Sequence, residues 1–277
     1  MKRLIINADD FGYSQEITLA IKKASEHGLL TSTSLIVNKD YSGPALDLAR
    51  EIKEVSVGIH FNLDDGKPLC PPEQVRTLVN EQGEFHAGKK FRARLFWRKI
   101  TSREIYQELK AQLTRFLSLG IQPSHMDFHH HLHLYYPVLR VALQVAKEFN
   151  LRKMRTVRLL RIYGENGSSF NFHRWRKTAA DIYRNSLHGK INQVLDTPDF
   201  LLEPKIVGEN GSSPEGWMEA IKFLRDELVF ELCCHPKYND ENSQKAGRET
   251  DLEILKGKSY RSLIEKENVK LISYGEL

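Results

Sequence analysis

Asp9 and Asp10 stand side by side at the end of the first apolar segment. Five of the eleven histidines fall within residues 125–133, in the run SHMDFHHHLH, while His60 and His235 lie far from it in the chain. One carboxylate and two imidazoles are a common ligand set for a divalent cation that keeps positions open for water. Such a cation lowers the pKa of its water toward ~7 and polarises a carbonyl. Asp10, His60 and His129 are the expected metal ligands. Asp9 could take a proton from water as general base, and His235 could protonate a leaving group. The expected chemistry is metal-assisted hydrolysis. A barrel phosphoesterase or amidohydrolase and a non-catalytic sugar- or metal-binding protein remain alternatives. The first usually opens on a His-x-His pair, where this chain has Ala8-Asp9-Asp10. The histidine run lacks partners at zinc-finger spacing, which disfavours a structural zinc site.

These groups act together only if separate elements carry them to one place. Residues 3–8 read as a buried strand. Residues 15–27 read as a helix capped by Ser14, with Gly28 where a C-cap glycine belongs. A strand is expected over 33–38 and a helix over 44–52. In 55–63 the apolar Val55, Val57, Ile59, Phe61 and Leu63 alternate with Ser56, Gly58, His60 and Asn62, so His60 and Asn62 share the polar face. Over 123–129, His125, Asp127 and His129 share a face. Helices are expected over 102–119, 137–149, 215–227, 249–256 and 259–267, and strands over 154–160, 228–234 and 269–274.

This alternation argues a parallel sheet with helices outside it. The segment after the first strand is NADDFG, not a glycine-rich phosphate loop, which disfavours a dinucleotide-binding sheet. The expected fold is therefore a TIM-like (β/α) barrel of seven or eight units, forming a single domain over 1–277. Stretches near 64–101 and 162–212 break the rhythm and read as insertions over one rim. Barrel active sites lie at the C-terminal strand ends. Asp9, Asp10, Asn38, His60, Asn62, His129 and His235 all fall there. Asn38 and Asn62 are the expected substrate-binding residues of the second and third strands. His125, His130, His131 and His133 are candidates for supporting hydrogen bonds.

The chain has 277 residues, 40% hydrophobic and 28% charged, with a net charge of +5. That composition excludes a disordered or fibrous chain. The basic groups at 89–99 and 152–161 read as solvated surface. With no nucleic-acid-binding motif beside them, no nucleic-acid partner is expected. The opening MKRLIIN stops being apolar at Asn7, too soon for a signal sequence, and no run approaches the ~18 apolar residues of a membrane span. The three cysteines, two of them adjacent, form no disulfide framework. A cytoplasmic protein is expected.

The segments INADDFG (6–12), GLLTSTSLIVN (28–38), VGIHFNL (57–63), GKPL (66–69), HMDFHHHLH (125–133), ELCCHP (231–236) and LISYGEL (271–277) run through nearly the whole chain in order. Together they resemble the YdjC-like carbohydrate deacetylase family, of the chitooligosaccharide deacetylase type. The resemblance implies a distorted (β/α) barrel. It implies hydrolysis of the N-acetyl group of an acetylated amino sugar or oligosaccharide to a free amine and acetate. It places the metal on Asp10, His60 and His129, the base at Asp9, the acid at His235, and a substrate-binding arginine at Arg158. It also implies a homodimer. The family label for the metal is magnesium; two imidazoles favour zinc, manganese, iron or cobalt. Segment 85–101 has the least family character and is expected to shape substrate choice.

Overall fold

Every side chain from Leu4 to Phe11 is buried in the first strand, β1 (Lys2–Phe11), as expected of a strand with both faces covered. The structure is a computed structural model and describes residues 1–118, 120–162, 179–206, 212–238 and 246–277. After β1 come α1 (Gln15–Ser25), β2 (Ser32–Leu35), α2 (Ser42–Ala49), β3 (Ser56–Phe61), α3 (Gly88–Phe96), α4 (Ser102–Leu117), β4 (Met126–Phe128) and α5 (Tyr136–Glu148). Then follow β5 (Leu159–Ile162), α6 (Ala179–Asn192), β6 (Phe200–Ile206), α7 (Pro214–Phe223), β7 (Val229–Cys234), α8 (Ala246–Lys256), α9 (Lys258–Lys266) and β8 (Val269–Leu271).

The sheet order is β4-β3-β2-β1-β7-β6-β5, with β8 paired to the start of β1. All these pairings are parallel. The curled parallel sheet with helices around it is the expected TIM-like barrel in distorted form. Between β4 and β5 the closure is irregular. Residues 153–155 pair with Met126 and Asp196 before the chain turns into β5. The strand expected over 154–160 is thus split in two, because Thr156–Leu159 turn on local hydrogen bonds, Arg158 N to Thr156 Oγ1 and Leu159 N to Val157 O.

The helices follow their apolar periodicity. Ser14 caps α1, its Oγ accepting from Ile17 N. Thr101 caps α4, which buries Ile105, Leu109, Leu113 and Phe116 on one face. Each such side chain contributes about 1.5–3 kcal/mol on burial. The stretch 64–101 holds a short turn at Pro72–Gln74, a Val79–Phe85 bridge and α3, and adds no strand to the sheet.

The stretch 162–212 differs from the expectation of a rim insertion. It carries α6 and a full member of the sheet, β6, lying between β5 and β7. Residues 163–178 and 207–211 lie outside the described residues. Glu203 and Pro204 interrupt the apolar run FLLEPKI and mask its strand character. The sheet accommodates them with a bulge, where the register shifts between Arg161–Glu203 and Ile162–Ile206. No helix among the described residues is long and apolar enough to cross a membrane.

Candidate metal centre

On a regular strand Asp9 and Asp10 would point to opposite faces. Here both reach the same buried cluster around His60. Asp10 adopts φ 70, and the β1–β2 register slips between Ala8 and Phe11. This left-handed kink turns Asp10 back toward the side that Asp9 already faces. Aspartate tolerates the conformation better than most residues. Gly12 follows with φ 90, where an added Cβ would sit 2.8 Å from the Ile36 carbonyl oxygen.

Asp10 Oδ1 lies 3.0 Å from His129 Nδ1 and 3.5 Å from His60 Nε2. One donor atom from each of these three residues falls within 4.8 Å of the others. Neither approach has hydrogen-bond geometry, so Asp10 Oδ1 is buried with these two charge contacts and no hydrogen bond. A carboxylate oxygen and two ring nitrogens that face one another without bonding fit a cation between them. His60 is oriented for this by Asp127, whose Oδ1 lies 2.7 Å from its Nδ1 and leaves Nε2 turned to Asp10. Burial disfavours the charged form of His60, but Asp127 and Asp10 outweigh that and raise its pKa from 6.5 to about 10. The pocket therefore attracts positive charge, and a metal must compete with a proton for the imidazole. On the other side, His129 Nε2 lies 3.9 Å from Asp65, which Lys39 holds at 2.5 Å.

Two other clusters could be weighed as cation sites. In Asp9–Cys233–His235, the Cys233 thiol donates to Asp9 Oδ2 at 3.2 Å. Burial and Asp9 push its pKa well above 9, so it is not a thiolate ligand. In Asp9–His60–Asp127 the cation place is already taken by Arg155. Among the described residues of these three clusters, only the Asp10 set leaves a carboxylate oxygen without a hydrogen bond toward its partners.

Arg155 is the residue that the sequence reading missed. It belongs to the basic group at 152–161, read as solvated surface, yet its side chain is fully buried. Its NH1 and NH2 donate to both oxygens of Asp9 at 2.7 and 2.6 Å. Its NH1 lies 2.9 Å from Asp127, and its Nε and NH2 donate to Glu231 at 2.9 and 2.7 Å. Burial alone would raise the Asp9 pKa, but the Arg155 guanidinium holds it well below the usual carboxylate range. Glu231 inside the apolar strand LVFELCC was the available signal, since a carboxylate in such a run needs a buried cation.

His235 follows β7, with Nε2 3.8 Å from Asp9 Oδ2 and its side chain 36% exposed. Asn62 is buried, and its Nδ2 donates to Asn38 Oδ1 and the Asp65 carbonyl, while its Oδ1 accepts from the backbone of Asp64 and Asp65. Asn38 Nδ2 donates to the Lys67 carbonyl. Both asparagines, expected to bind substrate, spend these bonds on shaping the 62–67 loop that presents Asp65. Arg158 lays its guanidinium 4.0 Å over the Phe200 ring, and among the described residues it makes no hydrogen bond to the cluster. His125 stacks on Tyr274 with centroids 3.7 Å apart. His130 pairs with Asp64 at 3.1 Å, His131 with Glu203 at 3.2 Å, and His133 Nε2 donates to the Thr156 carbonyl at 3.4 Å.

A family model described as YdjC-like protein matches residues 3–266. The carbohydrate deacetylase of Halalkalibacterium halodurans is 35% identical, over 91% of this chain and 94% of its own. That of Geobacillus stearothermophilus is 32% identical, over 98% of this chain and 96% of its own. A crystal structure from Enterococcus faecalis, named as a cellobiose-phosphate cleavage protein, superposes with a TM-score of 0.78 at 29% identity. It covers 99% of this chain, which covers 97% of it. The strand-end aspartates and histidines thus sit in a chain that belongs to the YdjC-like family.

Proposed function

We propose that the protein is a metal-dependent carbohydrate deacetylase that hydrolyses the N-acetyl group of an acetylated amino sugar or oligosaccharide. The observation that carries this reading is Asp10 Oδ1, without a hydrogen bond, facing His60 Nε2 and His129 Nδ1 beside a second, ionised carboxylate, Asp9. Relatives named carbohydrate deacetylase align over nearly the whole chain and support it. A divalent cation held by Asp10, His60 and His129 would polarise the acetyl carbonyl and acidify the attacking water. Two imidazoles in that set favour zinc, manganese, iron or cobalt over magnesium.

The chain's own groups supply the proton path. Arg155 keeps Asp9 ionised, so it enters the reaction ready to accept a proton from water. Its low basicity favours passing the proton on. His235, 3.8 Å away, is neutral because burial lowers its pKa from 6.5 to about 4, so it is placed to receive that proton and deliver it to the departing amine nitrogen. The products are acetate and the free amino sugar. Free Cys70, Cys233 and Cys234 are consistent with a cytoplasmic setting. The family resemblance supports a homodimer, which a light-scattering mass would test.

The test is acetate release from a panel of N-acetylated mono- and oligosaccharides by metal-loaded and chelator-stripped protein. Acetate is expected from the loaded protein alone. Asp10→Ala and His129→Ala should lose both metal and activity. Asp9→Asn should keep the metal and lose about 10²–10⁴-fold in rate. Full activity in stripped protein would overturn the metal assignment. Metal binding with no acetate from any sugar would favour a non-catalytic binding protein.

A further inference from the structure

Helix α8 supplies none of the three donors, yet two of its side chains grip the site. Arg248 and Asp251 are three residues apart on α8 and so share a face. Arg248 NH2 donates to Asp10 Oδ2 at 3.1 Å. That bond occupies one carboxylate oxygen and leaves Oδ1 to face the imidazoles. The two oxygens of an ionised aspartate are equivalent but its terminal torsion is broad, so without Arg248 little holds the carboxylate plane in this orientation.

Asp251 acts on His235. Its Oδ2 accepts from the His235 backbone N–H at 2.8 Å and from Ser212 Oγ at 3.0 Å, while Oδ1 accepts from Trp217 Nε1 at 2.8 Å. The carboxylate is 1% exposed. A second bond, Lys237 N to the Arg248 carbonyl at 3.1 Å, laces the same post-β7 segment to the helix. The His235 ring is partly open to water and stands at 3.8 Å from Asp9, so its backbone anchor sets its reach.

We propose that α8 is a positioning element of the active site. Arg248 fixes the plane of the Asp10 carboxylate so that one oxygen faces the imidazoles, and Asp251 sets the distance of His235 from Asp9. This rests on the reading of Asp10 as a ligand and His235 as the acid.

The test separates two readouts. Metal titration by calorimetry, without substrate, should show Arg248→Gln binding zinc or manganese at least about tenfold more weakly. Arg248→Lys, which keeps one charged donor, should recover part of the loss. Asp251→Asn should bind metal as the parent does, with kcat lowered about 10–100-fold and KM little changed. It should also move the His235 ring proton resonance. Trp217→Phe removes another bond to the same carboxylate without touching His235. It should lower the melting temperature and leave kcat in place. Unchanged metal affinity in Arg248→Gln overturns the first half. Unchanged kcat in Asp251→Asn, or an equal kcat loss in Trp217→Phe, overturns the second. If the parent released no acetate, the deacetylase reading would fail, while metal affinity and the His235 resonance would still decide this proposal.

Discussion

His60 Nδ1 stands 2.7 Å from Asp127 Oδ1, and this contact decides that Nε2 is the nitrogen turned to Asp10. Carboxylate partners of this kind orient metal-binding imidazoles and raise their basicity. Asp127→Asn should therefore lower metal affinity about 10–100-fold while Asp10 and His129 stay in place. Competition against a chromogenic chelator measures it, and parent-like affinity would remove Asp127 from this role.

Arg155 balances Asp9, Asp127 and Glu231 in a fully buried site. Removing the guanidinium leaves three carboxylates without their cation. Arg155→Met should cost about 3–5 kcal/mol in denaturant unfolding. A loss below about 1 kcal/mol would mean that the carboxylates find other partners or take up protons cheaply.

Gly58 is the only residue type that fits beneath the His125 ring, because an added Cβ would lie 2.3 Å from the imidazole Cε1. The ring itself is clamped against Tyr274. Gly58→Ala should destabilise by about 1–3 kcal/mol through overpacking. Combining it with His125→Ala should show a favourable coupling of about 0.5–3 kcal/mol in a double-mutant cycle. Additive losses would argue that the two positions do not press on each other.

Acid should unfold the protein through histidines outside the proposed ligand set. Burial lowers the pKa of His125 and of His133 from 6.5 to about 3. Between those values the unfolded chain binds protons that the folded chain does not, so stability rises with pH across this window. Stability present above pH 6.5 is expected to fall progressively as pH drops toward 3. Equilibrium unfolding at a series of pH values checks it, and His133→Gln should flatten the slope. A pH-independent midpoint from 7 to 4 would contradict the assignment.

Residue chemistry and spacing by themselves determined much of this protein. The alternation of apolar strands and amphipathic helices specifies a parallel sheet wrapped by helices, because each periodicity buries only one kind of face. The Asp10, His60 and His129 cluster was legible because aspartate and histidine side chains gathered at strand ends are uncommon without a use. Other features were decided only in three dimensions. Local alternation sends Asp9 and Asp10 apart, and the kink at Asp10 that reunites them depends on how β2 pairs beside β1. Arg155 looked like surface charge, since its three carboxylates lie 146, 28 and 76 residues away in sequence, and only folding removes the water that would otherwise solvate them. Asn62 looked available to substrate until the 62–67 loop closed around its amide. β6 was hidden by Glu203 and Pro204; the proline has no N–H for the ladder, and this interior strand takes it at a bulge. Periodicity reports which face of an element is buried; which charges meet inside depends on barrel closure, which brings distant strands into a low-dielectric interior where each charge must find its counterpart.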